Sequence, residues 1–194
     1  ANWAKERQND GRFHVIPYFS SNGGQQLHTQ ILRYISDEVC EMFNLELPQG
    51  SEEEKLQKLF DSLTVSGEKV VIVFDAINQI ADIEQSKMLN WLPIPPANVK
   101  YIFSTLEEDS TMQVFLNRSY PVFRLHSLDM GQRTELAQRY LHDSFGKKLT
   151  DMQLSRILDD KQCRNTLVLK TLLDELVSYG DYNTLDKKID SYLN

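Results

Sequence analysis

An aspartate that ends a strongly apolar segment is the residue of this chain best suited to chemistry. Five consecutive apolar residues, Val70 to Phe74, run directly into Asp75. A continuous run of this kind is typical of a strand buried in a parallel sheet, and ligands of open α/β sheets bind beyond the carboxyl ends of such strands. The pattern predicts that Asp75 faces a ligand crevice, where its carboxylate suits Mg²⁺; the alternative is an aspartate that caps the next turn.

Strands and helices alternate around this aspartate. Apolar, β-rich segments predict strands at residues 13–19, 70–75 and 99–105, and a short last strand at 121–125. Helical periodicity begins near Gln25, and Ser51 with Glu54 forms a capping box for a second helix. A short helix at most is expected between Gln85 and Trp91. This order predicts an α/β domain over residues 1–126, with a parallel sheet and flanking helices.

Beyond residue 126 only helices are predicted, so residues 127–194 form a small all-α domain. Its capping residues are Asp129 with Gln132, Thr150 with Gln153, and Asn165. The helix that begins near Asn165 is strongly apolar and ends near Gly180.

A phosphate-binding loop would be expected to accompany such an aspartate, and the sequence lacks one. The pattern is Gly, any four residues, then Gly-Lys-Ser/Thr. The one Gly-Lys pair is Gly146-Lys147, and Leu141 stands where the first glycine belongs. The chain opens as a helix already under way. We therefore expect it to begin just after that loop, with a sheet incomplete at its N-terminus and little affinity for nucleotide on its own.

Four segments, in order, resemble a known family. They are the opening Ala1-Asn2-Trp3, the run Val70 to Ile80 with its Asp-Ala-Ile-Asn-Gln-Ile, the stretch Trp91 to Thr105, and the helix of Asn165 to Leu176. Together they are similar to the NACHT-type signalling P-loop ATPases of the STAND class. The branch is the one with nephrocystin-3-like and telomerase-associated proteins and bacterial relatives.

The resemblance implies ATP or ADP with Mg²⁺ between the two domains. Asp75 would be the Walker B acid, holding Mg²⁺ through water. Asn78 would position the attacking water, Ser104 or Thr105 would sense the γ-phosphate, and Asn165 with Thr166 would approach the adenine. Plain alternatives are a turn-forming asparagine and hydroxyls that satisfy their own strand end.

The sequence also departs from the family. Asn78 stands where many relatives have a second acid, Thr166 replaces a proline, and the sensor strand lacks an arginine found in many relatives. An amide cannot accept a proton at neutral pH.

The family resemblance implies an ATP/ADP switch that controls self-association and signalling, with ATPase activity in the intact protein. An effector domain and a repeat sensor domain would lie elsewhere in the same chain. One alternative is a catalytically inactive NACHT-like interaction or scaffold module, which Asn78 and Thr166 favour. A plain ATPase motor is the other, and the missing arginine argues against it.

Composition excludes several other classes. The net charge of −7 argues against a general nucleic-acid or anionic-membrane surface. Two distant cysteines fit a reducing cytoplasm, and no apolar stretch approaches the ~20 residues of a membrane span. The four histidines share no metal-binding spacing, so no zinc site is predicted.

Overall fold

The chain divides into two compact units, residues 1–122 and residues 123–194. The computed structural model describes residues 12–19, 27–81, 83, 86–143, 145–181 and 184–193. The functional domains predicted from the sequence, 1–126 and 127–194, stay a prediction.

A three-stranded parallel sheet is the centre of the first unit. Its strands are β1 (His14–Phe19), β2 (Val70–Asp75) and β3 (Val99–Phe103), in that spatial order. The register places Phe19 beside Asp75 and Phe74 beside Phe103. The predicted parallel sheet is thereby confirmed, and Asp75 ends its central strand.

Two long helices and one short helix pack with this sheet. They are α1 (His28–Phe43), α2 (Glu52–Ser66) and α3 (Ser110–Asn117). Alternate residues of β2 are buried against them, whereas Val71 and Val73 on the opposite face are half-buried. The core that results joins all three strands to the helices, and its largest fully buried side chains include Phe60, Phe74, Ile16, Ile31, Leu32, Ile35 and Ile72.

The capping box predicted for α2 is present. Glu54 N–H donates to Ser51 Oγ, and Ser51 N–H donates to the Glu54 carboxylate. The region around Gln85 holds a single 3₁₀ turn, Ser86–Met88. Helix α3 was not predicted; Asp109 caps it.

The predicted strand at residues 121–125 is wrong. Residues 120–129 have neither helix nor strand, and the side chains of Phe123 and Leu125 are 91% and 98% exposed. The sequence pattern is β-like, but among the described residues no neighbouring strand pairs with it. An isolated extended segment is not a strand, since its hydrogen bonds need a partner.

The second unit is helical, as predicted. It contains α4 (Met130–Gln138), which continues into a π-helical turn (Arg139–Asp143), then α5 (Asp151–Asp159), α6 (Thr166–Ser178) and α7 (Leu185–Leu193). All three predicted N-caps are observed. The core lies between these helices and contains Ala137, Leu141, Ile157, Leu158, Cys163, Leu169, Leu172, Leu173, Leu176, Leu185 and Ile189.

Two cations satisfy helix C-termini in this unit. Lys147 Nζ donates to the carbonyl oxygens of Leu176 at 3.1 Å, Tyr179 at 2.8 Å, and Val177, at the end of α6. Arg133 is 6% exposed, and its Nη1 donates to Leu158 O at 2.6 Å, near the end of α5. Both contacts use carbonyl groups that a helix end leaves without partners. Within the described ranges, no helix is both long and apolar enough to cross a membrane.

Candidate functional site

Asp75 lies at the carboxyl end of the central strand, and its side chain is exposed. The chain turns sharply after it, because Ala76 adopts a left-handed conformation with φ 55° and ψ 47°. A 3₁₀ turn, Ile77–Gln79, follows directly. The geometry is that of a carboxylate presented at the edge where ligands of open parallel sheets bind.

Ser104 is the direct partner of this aspartate. Its Oγ donates to Asp75 Oδ1 at 2.5 Å and accepts from the backbone N–H of Ala76 at 2.7 Å. Backbone bonds hold the same junction, because Ser104 N–H donates to Phe74 O and Ile77 N–H donates to Ser104 O. The ends of β2 and β3 are thus joined through one hydroxyl and two backbone bonds.

The carboxylate of Asp75 is chemically suited to the Mg²⁺ that the family resemblance implies. Asp75 Oδ1 accepts a hydrogen bond from the Ser104 hydroxyl, while no described residue donates to Asp75 Oδ2. Mg²⁺ prefers oxygen ligands, keeps several waters and often uses one carboxylate. The described part of the chain holds no group of three or more histidine, cysteine and acidic side chains that could hold a metal by themselves. Asp75 as the residue that would hold the ion stays a prediction.

The hydroxyl of Thr105 is directed at a different partner. Thr105 Oγ1 lies 2.6 Å from Thr111 Oγ1, and the Thr111 side chain is fully buried. Thr111 Oγ1 and the Thr111 backbone N–H both donate to Asp109 Oδ1 at 2.9 Å. Lys87 Nζ donates to Asp109 Oδ2 at 2.8 Å. Four side chains therefore form one continuous network.

Asp109 is held as a carboxylate within this network. Partial burial alone would raise the pKa of its carboxyl group, but the hydrogen bonds from Lys87 and Thr111 outweigh that effect. The result is a pKa below its ordinary value. Asp109 is consequently an acceptor at neutral pH.

Asn78 lies in the 3₁₀ turn, three residues after Asp75, and is half-buried. Among the residues that the structure describes, none forms a hydrogen bond with its side-chain amide. The amide is therefore not consumed by a turn of the Asx type. Its role toward water stays a prediction.

Asn165 and Thr166 belong to the second unit. Asn165 Oδ1 accepts from the backbone N–H groups of Leu167 at 2.9 Å and Val168 at 3.5 Å, as an N-cap does. Thr166 is exposed at the first position of α6. A mainly apolar cavity of about 270 Å³ borders this turn, with Leu167, Val168 and Tyr192 among its lining residues. The role of both residues toward a nucleotide stays a prediction.

The sequence did not identify Lys87, Asp109 and Thr111 as candidate functional residues. Asp109 could have been predicted as a helix N-cap, because an aspartate directly before an apolar helical segment favours that position. Lys87 and Thr111 could not have been predicted, because their roles depend on contacts in the folded structure. Lys87 contacts Asp109, 22 residues later in the chain, and Thr111 contacts Thr105, 6 residues earlier.

Comparison with known proteins identifies one protein of similar sequence and solved structures of similar fold. No model of a protein family matches the sequence. A TPR repeat-containing protein of Dictyostelium discoideum is 28% identical over 139 residues, which are 71% of this chain and 8% of that protein. The chain therefore spans only a small part of its relative.

Two solved structures resemble nearly the whole chain. The ORC2 protein of Aeropyrum pernix, determined in ADPNP and ADP complexes, gives a TM-score of 0.56 at 12% identity, over 98% of this chain and 55% of that chain. A RuvB variant of Thermotoga maritima gives a TM-score of 0.43 at 12% identity, over 98% of this chain and 66% of that chain. The likeness to ORC2, with the parallel sheet and the helical second unit, defines a fold of the P-loop NTPase type.

Proposed function

We propose that this chain is part of the ATP/ADP-binding switch module of a NACHT/STAND signalling ATPase. The observation that carries the proposal is the pairing of Asp75 with Ser104, at the carboxyl ends of adjacent parallel strands. An anchored carboxylate at this edge of a P-loop NTPase-type sheet is suited to the Mg²⁺ of a bound nucleotide. The ion would neutralise phosphate charge and help to hold the nucleotide.

The residues around Asp75 favour slow turnover over rapid hydrolysis. Ser104 fixes one oxygen of the carboxylate and leaves the other for a metal-bound water. Asn78 can orient a water by hydrogen bonding, but its amide cannot take the proton that an attacking water must lose. A nucleotide that is hydrolysed slowly suits a two-state switch, in which each state must last.

The second unit would act as the lid of this switch. The start of α6 contributes an exposed Thr166 and borders an apolar cavity, features that are compatible with a flat aromatic base. Asn165 caps two of the helix N–H groups, so its side chain is committed to the helix. We expect the adenine contact to come from Thr166 and the backbone around it.

The partners that we propose are proteins. ATP-dependent self-association through the module would carry the signal, and effector and repeat sensor domains would belong to the same chain, in the cytoplasm. The name of the Dictyostelium relative, which states that it contains TPR repeats, supports the idea of a repeat sensor.

An inactive interaction or scaffold module is the second candidate. Two observations favour it: an amide at position 78, and Thr166 where the resemblance leads one to expect proline. Such a module would keep the fold and the Asp75–Ser104 contact without a nucleotide cycle.

Nucleotide binding by the intact protein separates the two candidates. The titration uses ADP and ATP, each with and without Mg²⁺, on the unaltered protein, on Asp75→Ala, and on Asp61→Ala, an exposed residue of α2. For the switch we expect Mg²⁺ to strengthen binding, Asp75→Ala to remove that gain, and Asp61→Ala to keep it. A protein that binds neither nucleotide would instead be the scaffold.

A further inference from the structure

The protons of the Lys87–Asp109–Thr111–Thr105 network can be assigned one by one. The Asp109 carboxylate only accepts, and the single hydroxyl proton of Thr111 goes to it. Thr111 Oγ1 can then only accept from Thr105, so the Thr105 hydroxyl donates its one hydrogen bond to Thr111. What remains on Thr105 is a pair of acceptor sites.

Ser104 is in the same position. Its one proton goes to Asp75 Oδ1, and its oxygen already accepts from the Ala76 N–H. A phosphate oxygen is itself an acceptor and needs a donor. Neither hydroxyl, as arranged here, has a proton to offer a γ-phosphate.

The network has a mechanical consequence for the end of β3. Ser104 and Thr105 are consecutive residues directly after β3, and each side chain has its own partner. Ser104 is anchored by Asp75, and the adjacent Thr105 is anchored by the buried Thr111, which Asp109 and Lys87 hold in place. Fixing Thr105 therefore fixes the direction in which Ser104 meets Asp75.

We propose that Lys87, Asp109 and Thr111 are positioning residues for the Asp75 carboxylate, and that Ser104 and Thr105 act on this carboxylate instead of on a γ-phosphate. The proposal rests on the proposed function, because Asp75 must bind Mg²⁺ with a nucleotide for its position to matter. It differs from the expectation drawn from the resemblance, in which Ser104 or Thr105 senses the third phosphate.

The two ideas predict different nucleotide dependence. A positioning network should affect the Mg²⁺ requirement for ADP and ATP equally, because both nucleotides share the metal. A γ-phosphate sensor should affect ATP alone. Removing one partner of a metal ligand typically weakens metal affinity by 10- to 100-fold, and a partner one step further away should have a smaller effect.

The test is a titration of Mg²⁺ against the intact protein with fluorescent ADP or ATP. The variants are Thr111→Val, which keeps the buried volume and removes the hydroxyl, and Thr111→Ser, which restores it. Thr134→Val is the matched control, since that hydroxyl donates only to Met130 O within its own helix. Lys87→Met disturbs the network from a partly exposed position, so it covers the case in which Thr111→Val fails to fold. Thermal unfolding is recorded for every variant.

We expect Thr111→Val and Lys87→Met to raise the Mg²⁺ concentration needed for half-maximal binding by about two- to tenfold, equally for ADP and ATP. Binding without Mg²⁺ should not change, and Thr111→Ser and Thr134→Val should behave as the unaltered protein. A loss confined to ATP would overturn the proposal in favour of phosphate sensing. A lower Tm with an unchanged Mg²⁺ requirement would overturn it in favour of a structural network. An unaltered protein that binds no nucleotide would refute the proposed function itself, a result visible before any variant is compared.

Discussion

Lys147 Nζ donates a hydrogen bond of 2.8 Å to the carbonyl oxygen of Tyr179, the C-cap residue directly after α6. The same ammonium group also reaches the carbonyl oxygens of Leu176 and Val177. One side chain, from a loop about 30 residues earlier, thus serves three carbonyl groups that the helix cannot satisfy itself.

The first prediction is that Lys147→Met destabilises the protein. The methionine keeps most of the apolar stem but removes a charged donor, which should lower the free energy of unfolding by roughly 2 kcal/mol. Urea unfolding is the measurement. Lys148→Met, at the neighbouring exposed lysine, is the control and should stay within about 0.5 kcal/mol of the parent. Equal effects of the two substitutions would contradict the capping role.

The second prediction concerns the ion pair of Lys87 and Asp109, whose side chains are 21% and 16% exposed. A double-mutant cycle with Lys87→Met and Asp109→Asn should give a coupling of roughly 1 kcal/mol at pH 7, because both groups are partly buried and hydrogen-bonded. The asparagine keeps the cap of α3, so the cycle isolates the charge.

The pH dependence of this coupling has a definite sign. The pKa of Asp109 is lower in the folded protein than in the unfolded chain, so its stabilising contribution is complete above the unfolded pKa of about 3.9. It should disappear as the pH falls through the lowered folded pKa. The exposed pair Arg33 and Asp37, 3.9 Å apart, is the control and should show little coupling at any pH. A Lys87–Asp109 coupling that grew toward acid pH would be inconsistent with this assignment.

The third prediction is that Asn78→Asp preserves or raises ATP hydrolysis by the intact protein. If the amide positions the attacking water, a carboxylate in its place adds a general base. General-base catalysis typically raises a reaction rate by about 100-fold or more. Steady-state phosphate release is the measurement. Gln79→Glu adds the same charge in the same turn and should leave the rate unchanged. If both substitutions changed the rate alike, charge alone would explain the effect and the water-positioning role would be lost.

The fourth prediction concerns Thr166→Pro at the first residue of α6. Proline is tolerated there, and Asn165 already has the extended backbone, φ −76° and ψ 120°, that a residue before proline requires. The fold should survive, and nucleotide affinity of the intact protein should hold or rise, as measured by calorimetry.

Asp151→Pro is the matched control for that substitution. It places proline at the same position of α5, after Thr150 with φ −68° and ψ 157°. It should leave both fold and affinity unchanged. A Thr166→Pro protein that folds but binds nucleotide tenfold more weakly, a loss of about 1.4 kcal/mol, would contradict the proposed lid contact.

Local signals in the sequence were reliable where the structure is local. The capping pairs Ser51 with Glu54 and Thr150 with Gln153 act across three residues, so the sequence contains the whole interaction. The run before Asp75 was long and apolar enough to identify a buried strand of a parallel sheet, whereas its central place in the sheet is visible only in the structure.

Signals that depend on distant partners were less informative. The segment 121–125 has the composition of a strand, but strand formation requires a neighbour that composition does not provide. The resemblance implies that Ser104 or Thr105 senses a phosphate, which stays a prediction, and the sequence did not reveal that the Ser104 hydroxyl donates to Asp75, 29 residues earlier in the chain. Hydroxyl groups can serve as donor or acceptor, and only the three-dimensional arrangement of their neighbours decides which.

The left-handed backbone of Ala76 implies a particular substitution spectrum for the residue after the aspartate. An L-residue with a φ of 55° carries a cost of about 1 kcal/mol, which glycine avoids and asparagine tolerates. Valine, isoleucine and threonine should be rare at this position in any library of variants selected for folding, because β-branched residues strongly disfavour a positive φ. Glycine should be enriched at this position under selection for thermostability, although its greater backbone freedom should hold the neighbouring Asp75 less firmly in one orientation.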